Sequence, residues 1–497
     1  MDDGPSKIEH DLLAWEELIE SEREREEKER LDKIKDEKEK LNEIKARLDR
    51  VRIRLDEIKE DSPSLTESLR TIFSWRNYSV YLTTSWIFTA FSYMGAFFNL
   101  YLLEELDWGI VLIGGVLSVV NAISAISRLV GGYVGDVSNR KHLSVVAMFM
   151  MAAYNLIMGI FVEFTWIIIA LLFFSTMEIF KGGSTAYIMD NIPKQHGGLG
   201  ISLFSAGRVF GIITLGLFVI LTPLMGFGES MRLMFLIGGL FLIFGTIARA
   251  VLLEGTTPDV KREGISLFRD FIQENMRAVR ILLRVVPGMI AIVVIDSLSD
   301  SLFKFGAYIY IYEKIGIEIP GLIFMTILTI IVSVPMLLGT GRMSDRRGEK
   351  KTALIVYSFM PISALLLIIA PIFPFWVPEP LYNQAETILT GLGAVFSTPF
   401  LAIILKSVND AVWYLLLLTI IQKNLPTQDA SKILSVFWFL VYLFSSIGPS
   451  VGGFVFHYFN QVDLFSIILL LNIIILGWIA RQGLVKSQEK TGNVQNE

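Results

Sequence analysis

The chain has 497 residues, of which 53% are hydrophobic, carries a net charge of −5 and contains no cysteine. The lack of cysteine excludes disulfides, thiol catalysis and zinc–cysteine sites, and the small net charge gives no sign of nucleic-acid binding. The apolar content exceeds that of ordinary soluble domains, so a membrane protein is the expected class. Four histidines are widely scattered, which argues against a metal site built from several of them.

The N-terminal segment is far more charged than the rest of the chain. Residues 1–76 hold 40 of the 93 charged side chains, so residues 1–62 are predicted to form a charged cytoplasmic helix. Between Leu41 and Ile58 apolar residues recur at steps of three and four, the pattern of a short coiled coil. The segment is interpreted either as a self-association or partner-binding helix, or as a solvated helix held by i,i+4 charge pairs. An amphipathic interfacial helix is predicted at 63–76.

Twelve later stretches are long and apolar enough to cross a bilayer. They are residues 77–102, 109–134, 143–161, 166–190, 199–222, 232–253, 286–312, 319–341, 351–371, 397–422, 433–458 and 463–482. Four prolines interrupt the pattern after span nine, and the remainder of 371–396 is compatible with a loop, a short helix or an extension of span ten.

The positions of lysine and arginine in the connections predict the orientation. Sixteen of them fall in one set of connections, and only Arg232 and Lys314 fall in the opposite set. Both termini are therefore predicted to be cytoplasmic, in a multi-pass protein of the plasma membrane. Two bundles, 77–253 and 286–483, are joined by a charged linker at 254–285 and followed by a tail at 484–497.

The chain repeats itself at an offset of 209 residues. Gly132-Tyr-Val-Gly-Asp136 corresponds to Gly341-Arg-Met-Ser-Asp345, so the first two spans match spans seven and eight. In later spans the offset is 233 residues, with Asn191-Ile-Pro193 matching Asn424-Leu-Pro426. A helical unit used twice is typical of secondary transporters, whose site lies at the interface between the repeats near mid-membrane.

This repeated motif resembles Gly-x-x-x-Asp-Arg-x-Gly-Arg-Arg/Lys, the loop motif of the major facilitator superfamily. Its matching residues are Gly132, Asp136, Arg140 and Lys141 in the first copy, and Gly341, Asp345, Arg346, Gly348 and Lys350 in the second. The first copy departs from the family pattern at Val137 and Asn139. The resemblance covers about 77–483 and implies an all-α membrane protein with twelve transmembrane helices in two pseudo-symmetric six-helix bundles.

The same resemblance implies that the motif residues act as a gate that locks the outward-open state. With Val137 in place of a cation, the first copy is expected to have a weaker lock or to use Arg140. The alternative interpretation is topogenic charge combined with a tight turn.

Ionisable residues within spans are costly and are functional candidates by default. The candidates for proton or substrate binding are Glu178, Lys181, Arg208, Asp296, Asp300, Lys304, Lys406 and Asp410. Because the resemblance implies that spans one, four, seven and ten line a central cavity, most of these residues are expected to face it. The alternative is local ion pairing, for example between Asp300 and Lys304.

Three arginines in other spans carry separate expectations. Arg208 is a candidate partner of Glu178 or of an anionic substrate, whereas Arg128 is expected to be structural. Arg249, near the end of span six, is expected to reach the cytoplasmic surface with its charged end.

The predicted function is secondary active transport of a small organic solute, coupled to H⁺ and directed outward, with uptake by symport or facilitated diffusion as the alternative. Mixed charges in the spans favour a polar, ionisable or zwitterionic solute. A hypothesis of a different class is a membrane receptor or scaffold that acts through residues 1–62. The expected partners are the lipid bilayer, the solute and H⁺. No cofactor motif, metal site or nucleophile–base grouping is found, so no cofactor and no enzyme activity are predicted.

Overall fold

The computed structural model describes residues 40–41, 43–45, 47, 65–191, 200, 203–204, 206–255, 267–285, 287–347, 349–424 and 430–482. Within these residues the chain is helical, and the strand-type pairing is limited to an isolated bridge between Phe375 and Ser397. The predictions made for residues 1–39, 48–64 and 483–497 lie outside the described part.

Residues 1–71 form a unit of their own. Around residues 40–47 the described positions are helical and exposed. Arg47 donates to the Glu43 carboxylate at 3.1 Å, an i,i+4 pair in which both side chains are mostly exposed. Leu41 and Ile44, at the start of the predicted coiled-coil pattern, are also exposed. The coiled coil stays a prediction, since its remaining positions lie outside the described residues.

The helices of the first half of the remaining chain, defined here as residues 76–255, follow a short amphipathic helix α1 (Leu65–Ser74). They are α2 (Arg76–Ser92), α3 (Ile110–Val137), α4 (Arg140–Ile160), α5 (Phe164–Thr176), α6 (Glu178–Asn191), α7 (Phe210–Met225) and α8 (Phe227–Leu252). Beyond α2 the same span continues through a 3₁₀ turn at Tyr93–Phe97 and a π turn at Tyr101–Glu105.

The second half is defined here as residues 267–482. Its helices are α9 (Leu267–Val285), α10 (Pro287–Glu313), α11 (Ile319–Arg347), α12 (Glu349–Tyr357), α13 (Phe359–Ile369), α14 (Glu379–Ile388), α15 (Thr398–Asn424), α16 (Ala430–Ser445), α17 (Ile447–Tyr458) and α18 (Gln461–Gln482). The amphipathic α9 lies in the predicted linker, and the chain turns by 105° between Asn275–Leu283 and Gly288–Glu313.

Among the described residues, nine helical segments are long and apolar enough to cross a membrane, or ten if the bent pair at α9 and α10 counts as one span. If the bent pair is counted, two of the twelve predicted spans, 319–341 and 397–422, do not meet this test in the described chain; if it is not, 286–312 does not meet it either. The helix α11 contributes a shorter apolar stretch, Ile319–Ser333. The fold is therefore that of an all-helical, multi-pass membrane protein.

Several spans are interrupted near their middle. A proline lacks the backbone N–H and its ring clashes with the carbonyl four residues earlier. Pro361 accordingly follows the break between α12 and α13, and Pro449 follows the break between α16 and α17. The break between α5 and α6 at Met177 has no proline nearby. By contrast, α10 and α15 are continuous.

The proline-rich region after span nine contains the short helix α14, which is one of the alternatives that the sequence leaves open. Glu386 at its end accepts hydrogen bonds from the backbone N–H groups of Gly391 and Gly393, at 2.6 and 2.9 Å. Gly391 has a φ of +88°, a conformation that favours glycine. The carboxylate therefore fixes the turn that leads into span ten.

The two halves meet along α3, which packs against α16 and α17. A Cβ added at Gly114 would lie 2.3 Å from the Pro449 carbonyl oxygen, and one added at Gly132 would lie 2.9 Å from Ser435 Oγ. Between these positions Ser118 Oγ and Ser450 Oγ are 2.7 Å apart. Small residues thus allow the first half to contact the second at close range.

Candidate functional site

A cavity of about 690 Å³ lies between the two halves and is lined by residues of both. Six of the eight predicted proton- or substrate-site candidates line it. They are Lys181, Asp296, Asp300, Lys304, Lys406 and Asp410. Glu178 and Arg208 are not among the lining residues.

Four of these side chains form one alternating charge cluster on α10 and α15, which we call the α10–α15 cluster (Asp300, Lys304, Lys406 and Asp410). Asp300 accepts from both lysines, with its Oδ2 at 2.7 Å from Lys304 Nζ and its Oδ1 at 2.6 Å from Lys406 Nζ. Lys406 also contacts Asp410, and Lys304 Nζ lies 3.9 Å from Asp410 Oδ2. The expected local pair of Asp300 and Lys304 therefore exists, but as part of a network that joins two spans.

The members of the α10–α15 cluster differ in how far they are open to the cavity. The Lys406 side chain is 5% exposed and lies against the Phe303 ring. The Lys304 side chain is 61% exposed and that of Asp410 is 37% exposed. Lys406 is thus enclosed, whereas Lys304 and Asp410 present a cation and an anion to whatever fills the cavity.

Asp296 lies one turn before Asp300 on α10 and has uncharged partners. Its Oδ2 accepts a hydrogen bond from Trp413 Nε1 at 2.9 Å, and its Oδ1 lies 2.7 Å from the Tyr357 hydroxyl oxygen. The same hydroxyl lies 2.7 Å from Asn472 Oδ1. The Asn472 amide nitrogen donates to the Ile468 carbonyl at 2.7 Å, which fixes the orientation of the amide.

If Asp296 is ionised, the two contacts of the Tyr357 hydroxyl cannot both be hydrogen bonds. A tyrosine hydroxyl has a single hydrogen, so it cannot donate to Asp296 and Asn472 at once. Both contacts become hydrogen bonds if Asp296 carries a proton on Oδ1 and donates it to the Tyr357 oxygen, while Tyr357 donates to Asn472. The arrangement therefore suits a carboxylic acid at Asp296, at the wall of the cavity.

Glu178 is buried at the start of α6 and has two cationic partners. Its Oε2 lies 2.8 Å from Arg128 NH2, and its Oε1 lies 2.8 Å from Lys181 Nζ. Arg128 also donates to the hydroxyl of Tyr442, a residue of the second half, at 3.0 Å, and its guanidinium lies 4.2 Å from the centre of that ring. Arg128 thus links a buried acid of the first half to a cavity-lining tyrosine of the second.

Two expectations about arginines differ from what the structure shows. Arg208 lies in the 3₁₀ turn Gly207–Val209 and is exposed, and the ion-pair partners of Glu178 in the described chain are Arg128 and Lys181 instead. Arg249 does not reach the surface, since it is 3% exposed. The expectation for Arg249 was wrong because the sequence does not reveal the hydroxyl groups that surround it.

The nearest of those hydroxyl groups come from two other spans, on α2 and α4. Arg249 donates to Thr84 Oγ1 at 2.8 Å, to Ser85 Oγ at 2.8 Å and to Ser144 Oγ at 2.9 Å. Its guanidinium also lies 4.2 Å from the centre of the Tyr81 ring. Among its partners in the described chain none is a carboxylate, so this cation is held by neutral oxygens and an aromatic face.

The first half supplies an apolar and aromatic wall to the cavity. It includes Phe88, Phe91 and Phe98 from the first span, and Phe174 and Met177 from around the break between α5 and α6. Asn99, at the same wall, donates to the Phe305 carbonyl of the second half at 3.1 Å. The cavity therefore has a mostly apolar side, which also carries Lys181, and a charged side.

The predicted gating residues are described only in part. Gly132 packs on Ser435, Arg140 and Lys141 open α4, and Asn139 caps that helix by accepting the Lys141 N–H at 3.0 Å. This cap gives a local reason for asparagine where the family motif has glycine. Lys350 is exposed near the start of α12, Gly348 lies outside the described residues, and the side chains of Asp136, Asp345 and Arg346 are not described.

The sequence interpretation missed the residues that hold Asp296: Tyr357, Trp413 and Asn472. Each belongs to a different span, and their convergence depends on the packing of α10, α12, α15 and α18. Asn472 offered a signal, because it is a lone amide within a long apolar run that needs partners in a membrane. Trp413 and Tyr357 gave none, since aromatic residues are common in spans.

Comparisons with known proteins agree with this architecture. A family model described as Major Facilitator Superfamily matches residues 79–449, more than half of the chain. One similar solved structure is the nucleoside transporter NupG, with a TM-score of 0.56 and 13% identity over 81% of this chain and 97% of that one.

Two other solved structures are also similar. A POT family transporter in complex with 5-aminolevulinic acid has a TM-score of 0.58 and 12% identity, over 82% of this chain and 95% of that one. The human organic anion transporter MFSD10 has a TM-score of 0.52 and 14% identity, over 81% of this chain and 99% of that one. At these identities the likeness concerns the fold. No curated protein sequence matches the chain.

Proposed function

Because the chain belongs to the major facilitator superfamily, we propose that it is a secondary transporter that moves a small organic solute by alternating access. In this proposal there are twelve spans, with α11 and α15 as the eighth and tenth. The two bundles, 77–253 and 286–483, rock about the central cavity. The contacts of both bundles with one cavity support this arrangement.

We place the protein in the plasma membrane with both termini in the cytoplasm, on the basis of the lysine and arginine bias of the connections. The gate lies at the cytoplasmic end and uses the two motif copies. The close approach of Gly132 to Ser435 supports it, since this contact joins the two halves beside the first copy.

We infer that transport is coupled to protons, and the arrangement of Asp296, Tyr357 and Asn472 carries this inference. Asp296 lines the cavity and has a hydrogen-bond pattern that suits a bound proton. Loss of that proton places a second negative charge one turn from Asp300. Lys406 would then be drawn toward Asp296 and away from Asp410, which would change the affinity of the cavity for the solute.

We propose export as the direction, in exchange for protons. Proton-coupled uptake and facilitated diffusion are the alternatives. They are distinguished by whether an inward proton gradient accelerates loss of solute, accelerates its accumulation or has no effect.

Infrared difference spectroscopy tests the proton on Asp296 without knowledge of the solute. The purified protein is titrated from neutral to alkaline pH, and the C=O stretching band of a protonated carboxyl group is followed. We expect a band in the unmodified protein that is absent in Asp296→Asn and shifted in Tyr357→Phe. The matched control is Glu163→Gln, at an exposed carboxylate outside the spans. A band that persists unchanged in Asp296→Asn would contradict the assignment.

Flux in proteoliposomes tests the coupling itself. A pH indicator trapped inside reports proton movement when solutes are added outside. We expect Asp296→Asn to abolish solute-dependent proton movement while exchange of labelled for unlabelled solute continues, because the amide mimics the neutral acid. If Asp296→Asn retains the gradient dependence of the unmodified protein, Asp296 is not the coupling group.

A receptor or scaffold that acts through residues 1–62 is the second candidate function, and the charge density of that segment favours it. Deletion of residues 1–62 separates the two. Transport that survives the deletion, together with loss of self-association or of binding to a cytoplasmic partner, would make the segment an accessory. Absence of flux for every solute tested would favour the scaffold.

A further inference from the structure

The two walls of the cavity differ most at positions that the internal repeat relates. At the offset of 209, Asp300 corresponds to Phe91 and Lys304 to Gly95, and at the offset of 233, Asp410 corresponds to Met177. Each member of these pairs except Gly95 brings a side chain to the cavity. The repeat has therefore kept the position of the wall while exchanging charged groups for apolar ones.

The charged wall offers two groups to a solute. Lys304 and Asp410 are the exposed members of the α10–α15 cluster, and Lys304 Nζ lies 3.9 Å from Asp410 Oδ2. Lys406 and Asp300 are held more deeply, each by two opposite charges. A bound anion would contact Lys304 and a bound cation would contact Asp410, at neighbouring points.

The four charges of the α10–α15 cluster sum to zero. A solute with only one ionised group would bring a net charge to this neutral cluster, because Lys304 keeps Asp300 and Asp410 keeps Lys406 as its partner. A solute charge that has no free counter-charge in the protein is costly to remove from water. A zwitterion can contact Lys304 and Asp410 at the same time and adds no net charge.

The opposite wall determines the rest of the solute. Phe91, Phe98, Phe174 and Met177 offer apolar surface and aromatic faces, and Trp438 and Tyr442 extend this surface from the second half. A cavity of about 690 Å³ falls within the range of sites that enclose drug-sized ligands. It leaves room for an apolar group beyond a zwitterionic head.

We propose that the cavity binds a zwitterion that carries an apolar or aromatic group. Its carboxylate contacts Lys304, its ammonium contacts Asp410, and its apolar part lies against the wall of the first half. This inference rests on the proposed transport function and adds the chemical class of the solute.

Binding of four matched probes to the protein in lipid nanodiscs tests the class. L-Phenylalanine has both charges and a ring, phenylalanine amide lacks the carboxylate, 3-phenylpropanoate lacks the ammonium, and glycine lacks the ring. We expect L-phenylalanine to bind at least about tenfold more tightly than each of the other three, a difference of about 1.4 kcal/mol. Equal or tighter binding of either singly charged probe, or no binding of L-phenylalanine, would overturn the proposal.

Two variants assign the contacts. Lys304→Gln should remove the preference for L-phenylalanine over phenylalanine amide, and Asp410→Asn should remove its preference over 3-phenylpropanoate. Lys314→Gln, at an exposed lysine outside the cavity, should change neither preference. If Lys304→Gln and Asp410→Asn weaken all probes by the same factor, the two residues act on the shape of the cavity and the assignment is wrong.

The outcome is separable from that of the transport proposal. The infrared band of Asp296 and solute-dependent proton flux do not require a zwitterion. If the protein shows both but prefers a singly charged probe, the transport proposal stands and the proposed solute class is wrong. If it binds the zwitterion without any flux, the transport proposal is wrong instead.

Discussion

Arg249 in the first half and Lys304 in the second are both cations within spans, and their surroundings differ in two respects. Arg249 is 3% exposed and is held most closely by hydroxyl groups from two other spans. Lys304 is 61% exposed toward the cavity and is held by carboxylates. Arg249 has no space in which to exchange its hydrogen-bond partners, whereas a bound solute can replace the carboxylate partners of Lys304.

The comparison shows that a charge within a span does not by itself indicate a binding site. Arg249 binds neutral oxygens on α2 and α4, which places it as a packing centre of the first half. Lys304 faces a cavity, where its carboxylate partners compete with any anionic ligand. Exposure to an internal cavity, and not the presence of charge, separates the two roles, and the following substitutions test this distinction in order of decreasing effect on stability.

Arg249→Ala is expected to have the largest effect. It removes the cation–aromatic contact with Tyr81 and leaves a void among buried hydroxyl groups, so the free energy of unfolding should fall by about 3 kcal/mol. Denaturation in mixed micelles measures this. Arg481→Ala, at an exposed arginine near the end of α18, is the control and should change little. If the two variants are equally stable, Arg249 is not a packing centre.

Lys406→Gln tests whether burial of a lysine, or its position in the second half, determines how far its substitution lowers the free energy of unfolding. Lys406 belongs to the same cluster as Lys304 but is 5% exposed. Its removal leaves Asp410 with only the more distant Lys304, so the free energy of unfolding should fall by about 2 kcal/mol. The same denaturation experiment measures the change. A loss no larger than that of Lys304→Gln would show that the cluster is uniform and that burial does not matter.

Gly132→Ala provides a reference for these substitutions, because it changes a contact between the two halves that involves no charge. The added methyl group would lie 2.9 Å from Ser435 Oγ, so Ser435 must change its rotamer or the halves must separate slightly, at a cost of about 1 kcal/mol. Ser435→Gly in the same chain should restore the stability. Because the chain has no cysteine, a single cysteine placed beside this contact can report its opening by labelling. Failure of the double variant to recover would locate the strain elsewhere.

Lys304→Gln is expected to have the smallest effect on stability, below about 1 kcal/mol, because the cavity leaves the lysine largely exposed and its ion pairs are correspondingly weak. Relative to its effect on stability, Lys304→Gln should nevertheless weaken binding of a zwitterion more than Lys406→Gln does. The probes described above measure the binding. A loss of stability as large as that of Arg249→Ala would remove the distinction between the two cations.

Much of the fold could be predicted from the sequence, because a span must be apolar over about 20 residues and this requirement leaves a strong signal. The predicted span 143–161 and the observed helix Arg140–Ile160 agree closely. The breaks were harder to predict. Proline accounts for the breaks near Pro361 and Pro449, but the sequence around Met177 has no proline that would predict a break.

The site was predictable in its charges and not in its partners. The spacing of Asp296, Asp300 and Lys304 places them on one face of a helix, and all three line the cavity. Whether Asp296 has a cationic or a neutral partner depends on which side chains α12, α15 and α18 bring to it. The misplacement of Arg249 has the same origin, since its hydroxyl partners are ordinary serines and threonines in the sequence.

The continuity of α10 and α15 bears on how the site responds to motion. These two continuous helices carry the whole α10–α15 cluster. The facing wall instead contains the 3₁₀ turn at Tyr93–Phe97 and the break at Met177. Irregular segments bend more easily than a continuous helix. Deformation during a transport cycle would therefore fall on the compliant aromatic wall. The backbone that carries the polar side would keep its geometry, so changes on that side would be confined to side-chain contacts such as those of Lys406.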